Sequence, residues 1–304
     1  MAKFALLSYE FRGIPQPATP TLFNEFPPEV IEENFEKKQE LFDKFFDKEN
    51  FPQYFNYKGK QCKVELRWKY NGIIVFQLER KGWGLQSLNF KSNKIPNNPW
   101  VDIIVDNRDK RQLIAVRKNS NAFKYPHTVA QILEENISRW LGMNYGLVVS
   151  VKAQYESKAF WKIYQKYYLG SGIERLQFNF SFPNKDWITD KIEELKIFGK
   201  KRNGAVRLGL EAQKGSALNF ERNEENEAIV NSCSGTGEDI IVKPRNHHII
   251  HLAQETNPVE QEMSDSTLKK ILSPDAEKQL FEENSLAPYE RAGEFLNKCK
   301  DYYA

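Results

Sequence analysis

The chain has 304 residues, 40% hydrophobic and 28% charged, the ordinary balance of a soluble globular protein with room for a large core and about two domains. No apolar run approaches the ~18 residues of a membrane span, and the patch Phe4–Leu7 is too short for a signal peptide. Cys62, Cys233 and Cys299 are far apart and odd in number, which points to a reduced cytosol and away from a disulfide framework or a zinc site.

The first strand is expected at Phe4–Tyr9. A proline-rich loop follows, and the apolar spacing of Ile31, Phe35, Phe42, Phe45 and Phe46 predicts an amphipathic helix from the prolines to about Asn50. Between residues 60 and 90 the pattern is a β-hairpin. Val64, Leu66 and Trp68 must share a face with Ile74, Phe76 and Leu78, so a three-residue loop, Tyr70–Asn71–Gly72, is expected, with Gly72 left-handed. Lys63, Glu65, Arg67 and Lys69 then occupy the opposite face.

Residues 99–183 carry the clearest alternation of elements. Val101, Ile103 and Val105 alternate with Asp102, Ile104 and Asp106 in a strand with one apolar face; a polar turn through Arg108, Lys110 and Arg111 leads to a return strand at Leu113–Val116. Thr128 with Gln131 reads as a capping box, followed by a helical face of Ile132, Leu133, Ile137, Trp140 and Leu141 that ends at Gly142. A strand at Leu147–Val151 and an aromatic helix at Phe160–Tyr168 precede the period-two run Leu176, Phe178, Phe180 and Phe182. Beyond it the spacing predicts a helix at 187–200, a half-buried strand at 206–212, a short helix at 224–230 and short strands at 240–242 and 249–252. Residues 253–266 have the composition of an acidic linker, and helical pieces follow to the C-terminus.

The net charge of +3 is unevenly distributed: residues 58–207 carry +15, residues 1–57 carry −4 and residues 208–304 carry −8. Such asymmetry is a hint of a polyanionic partner. The expected nucleic-acid-binding residues are the cations on wet strand faces and in loop clusters: Lys63, Arg67, Lys69, Arg108, Lys110, Arg111, Arg117, Lys118, Lys200, Lys201 and Arg202. Gathered on one surface, they would give strongly salt-dependent binding.

Catalytic motifs are weaker. Asp102, Asp106 and Lys118 partly match the acid–acid–lysine pattern of a restriction-type nuclease core, but Val116 stands where the second strand needs its acid, so charged residues on the wet face of a hairpin is the preferred account. His247, His248 and His251 lie close together, and Arg245 followed by His251 has the Arg-x₅-His spacing of a family of bacterial ribonucleases, although Pro244 and Ile249–Ile250 favour strand over helix here. Ser234–Gly235–Thr236–Gly237 lacks the lysine of a phosphate loop and is expected to be a turn, as is Lys214–Gly215–Ser216.

In the segments VDIIVDNRDKRQLIAVRKN and GAVRLGLEAQKGSALNFE the chain resembles uncharacterised bacterial proteins carried beside anti-phage genes. That resemblance implies a setting in antiviral defence and assigns no site residues. The combined expectation is an α+β protein: a largely antiparallel sheet with helices packed on one face and a helical C-terminal segment. Its portions are 1–98, 99–252 and 253–304, the first two sharing a core. The expected function is a cytosolic, non-enzymatic component without cofactor or metal, binding nucleic acid or a partner protein. The alternatives are a nuclease with an unrecognised site and an oligomer whose acidic flanks dock on the basic middle of a neighbour.

Overall fold

A computed structural model of the chain describes residues 1–14, 26–88, 91–180, 206–281 and 285–300. The helix expected at 187–200 and the cluster Lys200, Lys201 and Arg202 lie outside the described residues.

The architecture is α+β and its sheets are antiparallel. Strand β1 (Ala2–Gly13) is longer than its apolar core, because its neighbours supply hydrogen bonds well past Tyr9. Helices α1 (Pro28–Glu36) and α2 (Lys38–Phe45) replace the one helix expected, the break falling at Lys37. Strands β2 (Tyr54–Tyr57), β3 (Lys60–Tyr70) and β4 (Ile73–Glu79) lead to a separate two-stranded ribbon, β5 (Trp83–Leu88) and β6 (Lys91–Pro96). Strands β7 (Trp100–Asp106) and β8 (Leu113–Arg117), helix α3 (Pro126–Tyr145) and strand β9 (Leu147–Ala153) follow.

β1 organises the main sheet. Phe4 and Ala5 pair with both β8 and β14 (Glu260–Met263), while Leu7 and Ser8 pair with both β8 and β9. One edge of β1 therefore carries β8, and β14 and β9 share the other end to end. Beyond β8 the order runs β7, β4, β3, β2. The segment expected to be a linker thus contains a sheet strand: its composition is acidic because β14 is a four-residue edge strand with only Met263 fully buried. The boundary expected at residue 98 falls between β4 and β7, which pair from Ile73↔Asp106 to Glu79↔Trp100, so the N-terminal and central portions share one core.

Both faces of the sheet are covered. Leu7, Tyr9 and Phe11 point with Ile74, Phe76, Ile103 and Val105 into a core closed by α2 and α3. Phe4 and Leu6, on the alternate face, pack with Trp68, Val75 and Ile104 against α7 (Asp265–Ile271), α8 (Ala276–Phe281) and α9 (Ala287–Lys300). A third core, drawn from Tyr155 to Leu252, joins helix α4 (Ser157–Tyr168) and α5 (Glu224–Thr236) to a four-stranded sheet ordered β11 (Val206–Glu211), β10 (Ile173–Phe180), β12 (Ile240–Pro244), β13 (Ile250–His251), after which α6 (Leu252–Glu255) turns the chain back. Each core holds one cysteine as a buried free thiol.

Three local expectations are corrected. α3 has no capping box at Thr128: it begins two residues earlier with Pro126 at its first turn, where a missing N–H costs nothing, and it ends at Gly146 (φ 68°) instead of Gly142. Ser234–Gly235–Thr236 is not a turn but the last turn of α5, and Gly237 (φ 73°) is its left-handed cap; a β-carbon there would come within 2.6 Å of the Ala153 carbonyl oxygen, so this glycine sets how closely the third core approaches β9.

The third correction concerns the β3–β4 hairpin. Tyr70 pairs with Ile73, so the loop is the two-residue turn Asn71–Gly72, with both residues at positive φ (47° and 74°). The clash of faces that argued for a three-residue loop is resolved inside the strand. A bulge between Leu66 and Trp68 turns Trp68 to the C-terminal helices, where its indole N–H donates to the Ile271 carbonyl at 2.8 Å, while Val64 stays in the other core. Gly72 is left-handed as expected, and a β-carbon on it would meet the Arg108 backbone at 3.1 Å. Gly72→Val is therefore expected to lower stability by roughly 1–3 kcal/mol, measured as a shift of the denaturant midpoint; an unchanged midpoint would refute the assigned turn.

Candidate nucleic-acid interface

Several cations of the middle segment are held by acids of the flanks. Lys69 sits on Asp43 at 2.7 Å and Asp47 at 2.5 Å, both from the helix-α2 region. Partial burial works against the charge of Lys69, but the two carboxylates prevail and raise its pKa. Lys118 pairs with Glu260 of β14, and Lys152 with Glu238 at 2.5 Å. Arg67 reaches Glu65 at 2.5 Å, and Arg111 donates to the Asn297 side chain at 3.2 Å. Lys63 and Lys110 are exposed and make no ion pair among the described residues.

The expected site residues are not brought onto one patch. Arg108, Lys110 and Arg111 lie at the β7–β8 turn beside α9; Arg117 and Lys118 lie at the far end of β8, whose five residues span about 16 Å. Arg67 is the extra residue of the β3 bulge, Lys69 lies just beyond it, and Lys63 stands further along the same strand.

Asp102 and Asp106 are not on a wet face: both are fully buried. They share the face of β7 that turns to the C-terminal helices, and each is neutralised. Asp106 takes a two-pronged contact from Arg108, Nε at 2.8 Å and Nη2 at 2.7 Å. Asp102 accepts from Arg117 Nη1 at 2.9 Å and Gln77 Nε2 at 2.7 Å. Buried charges persist only when paired and hydrogen-bonded, so alternation alone could not distinguish these carboxylates from exposed ones. Arg108 and Arg117 are accordingly framework residues, with Arg117 still 38% exposed. Beside Asp102, at the root of the β5–β6 ribbon, lies an open recess of about 180 Å³ lined by Lys63, Val64, Glu65, Gln77, Glu79 and Trp100. Two carboxylates against one lysine make it unsuited to phosphate.

The ribbon is the contrasting feature. It continues the β4–β7 ladder through Arg80 N–H to the Pro99 carbonyl (2.9 Å) and Asn97 N–H to the Gly82 carbonyl (3.0 Å). β3 stops pairing at Leu78 and β8 at Ile103, so β5 and β6 pair only with each other. From Arg80 to Val101 the sequence has Arg80, Lys81, Lys91 and Lys94 and no acid. The signal that could have drawn attention to it is that acid-free run, invisible in a segment-wide charge sum.

On the second sheet, β10 and β12 alternate buried and partly exposed residues, leaving Arg175, Gln177, Asn179 and Lys243 on the face away from the core. At its margin His251 Nδ1 lies 2.6 Å from Asp239 Oδ2, while Asp239 Oδ1 accepts from the Ala253 N–H at 3.1 Å. His247 stacks edge-on to Tyr167 and Arg245 donates to the Ser216 carbonyl, so the three histidines do not converge. Among the described residues no group of three or more His, Cys, Asp or Glu is arranged to hold a metal, and no helix is long and apolar enough to cross a membrane.

Comparisons with protein-family models, with curated proteins and with solved structures return no match.

Two outcomes follow from the buried charges. Asp106→Ala leaves Arg108 half-buried without its partner and is expected to cost roughly 3–5 kcal/mol, measured by denaturant unfolding. Glu10, buried beside Arg12 and Glu238, has its carboxyl pKa raised, by burial first; Arg12 opposes the shift and Glu238 adds to it. The folded chain thus holds this proton more tightly than the unfolded one. Its contribution is full below the ordinary value of about 4.3 and is lost as pH rises through the raised value. Glu10→Gln is expected to flatten the decline of melting midpoint over that window; an identical slope would show that Glu10 does not titrate there.

Proposed function

We propose that the protein is a cytosolic binding component that engages nucleic acid, and that the contact is made by the β5–β6 ribbon with the cations at its root. The observation that carries this reading is a run of sequence: from Arg80 to Val101 there are four cations, two at the root of the ribbon and two in its second strand, and no acid, whereas in the body Lys69, Lys118 and Lys152 are each held by an acid from a flank. An acid-free basic arm meets phosphates without repulsion, and the counterions it displaces make binding fall steeply with salt. The role in bacterial antiviral defence rests on the resemblance of two segments alone. Lys63 and Lys110 are exposed cations of the expected set that make no ion pair among the described residues.

A second reading, a nuclease, is favoured by one observation: the 2.6 Å contact of Asp239 with His251 Nδ1 on a ring 40% exposed. That arrangement fixes a tautomer whose Nε2 can accept a proton. For the oligomer reading, flank acids already sit on middle cations within one chain, which leaves less charge for a neighbour.

A titration with duplex DNA, single-stranded DNA and RNA at low and raised salt tests the first reading. Salt-sensitive binding without cleavage in magnesium, manganese or zinc is expected, and absence of binding to all three overturns it. Cleavage that disappears in His251→Ala would select the nuclease.

A further inference from the structure

We infer that β11 is a dimerisation edge: two copies of the chain pair their β11 strands antiparallel about a two-fold axis at Gly209, joining their second sheets into one continuous sheet. This goes beyond the nucleic-acid reading and does not depend on it.

The other strand edges of the two larger sheets are short, interrupted or capped, as exposed edges in folded proteins commonly are. β2 and β14 have four residues each and β13 has two. β3, where it runs past β2, is broken by the bulge at Arg67. β9 has seven residues, but α3 caps its outer edge: the Ser138 hydroxyl accepts from the Val149 N–H at 2.9 Å and the Glu134 carboxylate from the Val151 N–H at 2.8 Å. β11 has six residues and pairs on one side with β10; among the described residues no strand pairs with its other edge.

The backbone of that edge is set for pairing. The Ala212 N–H donates to the Glu174 carbonyl at 2.8 Å, on the β10 side. By alternation the N–H and C=O groups of Arg207, Gly209 and Glu211 point away from β10, to the free edge. Val206, Leu208 and Leu210, on the face covered by helices, are only half-buried, so the third core is left open along β11.

Read backwards, the strand is complementary to itself. With Gly209 opposite Gly209 of a second copy, Arg207 faces Glu211, Glu211 faces Arg207, and Leu208 faces Leu210 on the apolar side. Each of the three outward-pointing residues then exchanges both backbone hydrogen bonds with its opposite, about six in all. Centring the pair on Arg207 or Glu211 would set like charges face to face, and centring it on either leucine leaves the charges unmatched. Arg207 makes no ion pair among the described residues, and Glu211, 74% exposed, reaches Arg175 only at 3.8 Å, so both charges are available to a partner. Gly209 supports the same register. A β-carbon there would meet nothing within 4 Å, so packing within the chain gives no reason for a residue that weakens a strand interior. A glycine in such a place suits the close approach of another backbone.

The test is the oligomeric state of the full chain, by light scattering over a concentration series. The unmodified chain is compared with Arg207→Glu, Glu211→Arg, the exchange Arg207→Glu/Glu211→Arg, and Gly209→Pro, and the melting midpoint of each confirms folding. The unmodified chain is expected to dimerise. Either single reversal is expected to weaken the dimer at least about tenfold, because like charges then meet at both symmetry-related positions, and the double exchange is expected to restore it. Gly209→Pro removes an N–H that points away from β10 and is expected to leave a folded monomer. A chain that stays monomeric at all concentrations overturns the assignment. So does a dimer that Gly209→Pro and both single reversals leave intact; if raised salt separates that dimer, the contact is acidic flank on basic middle. Failure of the double exchange to restore a dimer lost in the single reversals overturns the Gly209-centred pairing.

Discussion

The fold depends on β1 being hydrogen-bonded along both edges. Its twelve residues pair with β8 on one side and with β14 and β9 on the other, so the first residues of the chain hold strands from residues 113–117, 147–153 and 260–263 in one sheet. Phe4 and Leu6 go to one core and Leu7, Tyr9 and Phe11 to the other, each large side chain contributing roughly 1.5–3 kcal/mol by burial. Removing this strand would expose both cores at once. It would also release the C-terminal helices, which reach the sheet through β14 and through Phe4, whose ring packs tilted against that of Phe295 with centroids 5.1 Å apart.

That constraint explains where the charge goes. With the two ends of the chain drawn onto the middle, acids of the flanks meet cations that are distant in sequence: Asp43 and Asp47 at Lys69, Glu260 at Lys118, Glu238 at Lys152. Exposed pairs of this kind contribute little stability individually. Their larger effect is on the surface field, because each neutralises locally a cation that a linear charge count would hand to a polyanion. The ribbon leaves the main sheet, and among the described residues its two strands pair with each other.

The β3–β4 hairpin shows how a correct constraint can have the wrong solution. Val64 and Trp68 cannot both keep strict alternation with Ile74 and Phe76 across an Asn-Gly turn, and the sequence makes that conflict plain. A loop of three residues would resolve it, and so does an extra residue within the strand. The bulge is selected because Trp68 then enters the second core and its N–H finds the Ile271 carbonyl, a partner 203 positions away. The same long-range logic buries Asp102 and Asp106: Arg117, Gln77 and Arg108 converge on them only once β4, β7 and β8 are side by side.

By itself the sequence determined the α+β class, most strand and helix positions, the left-handed Gly72 and the helical C-terminus, because periodicity, turn residues and apolar spacing are local properties of the chain. It did not determine that residues 260–263 are a sheet strand, that a glycine at 237 caps a helix against β9, or which cations remain unpaired. Those depend on distant segments meeting: an edge strand of four residues has too little pattern to recognise, and a charge is free or neutralised according to neighbours that only the folded sheet supplies.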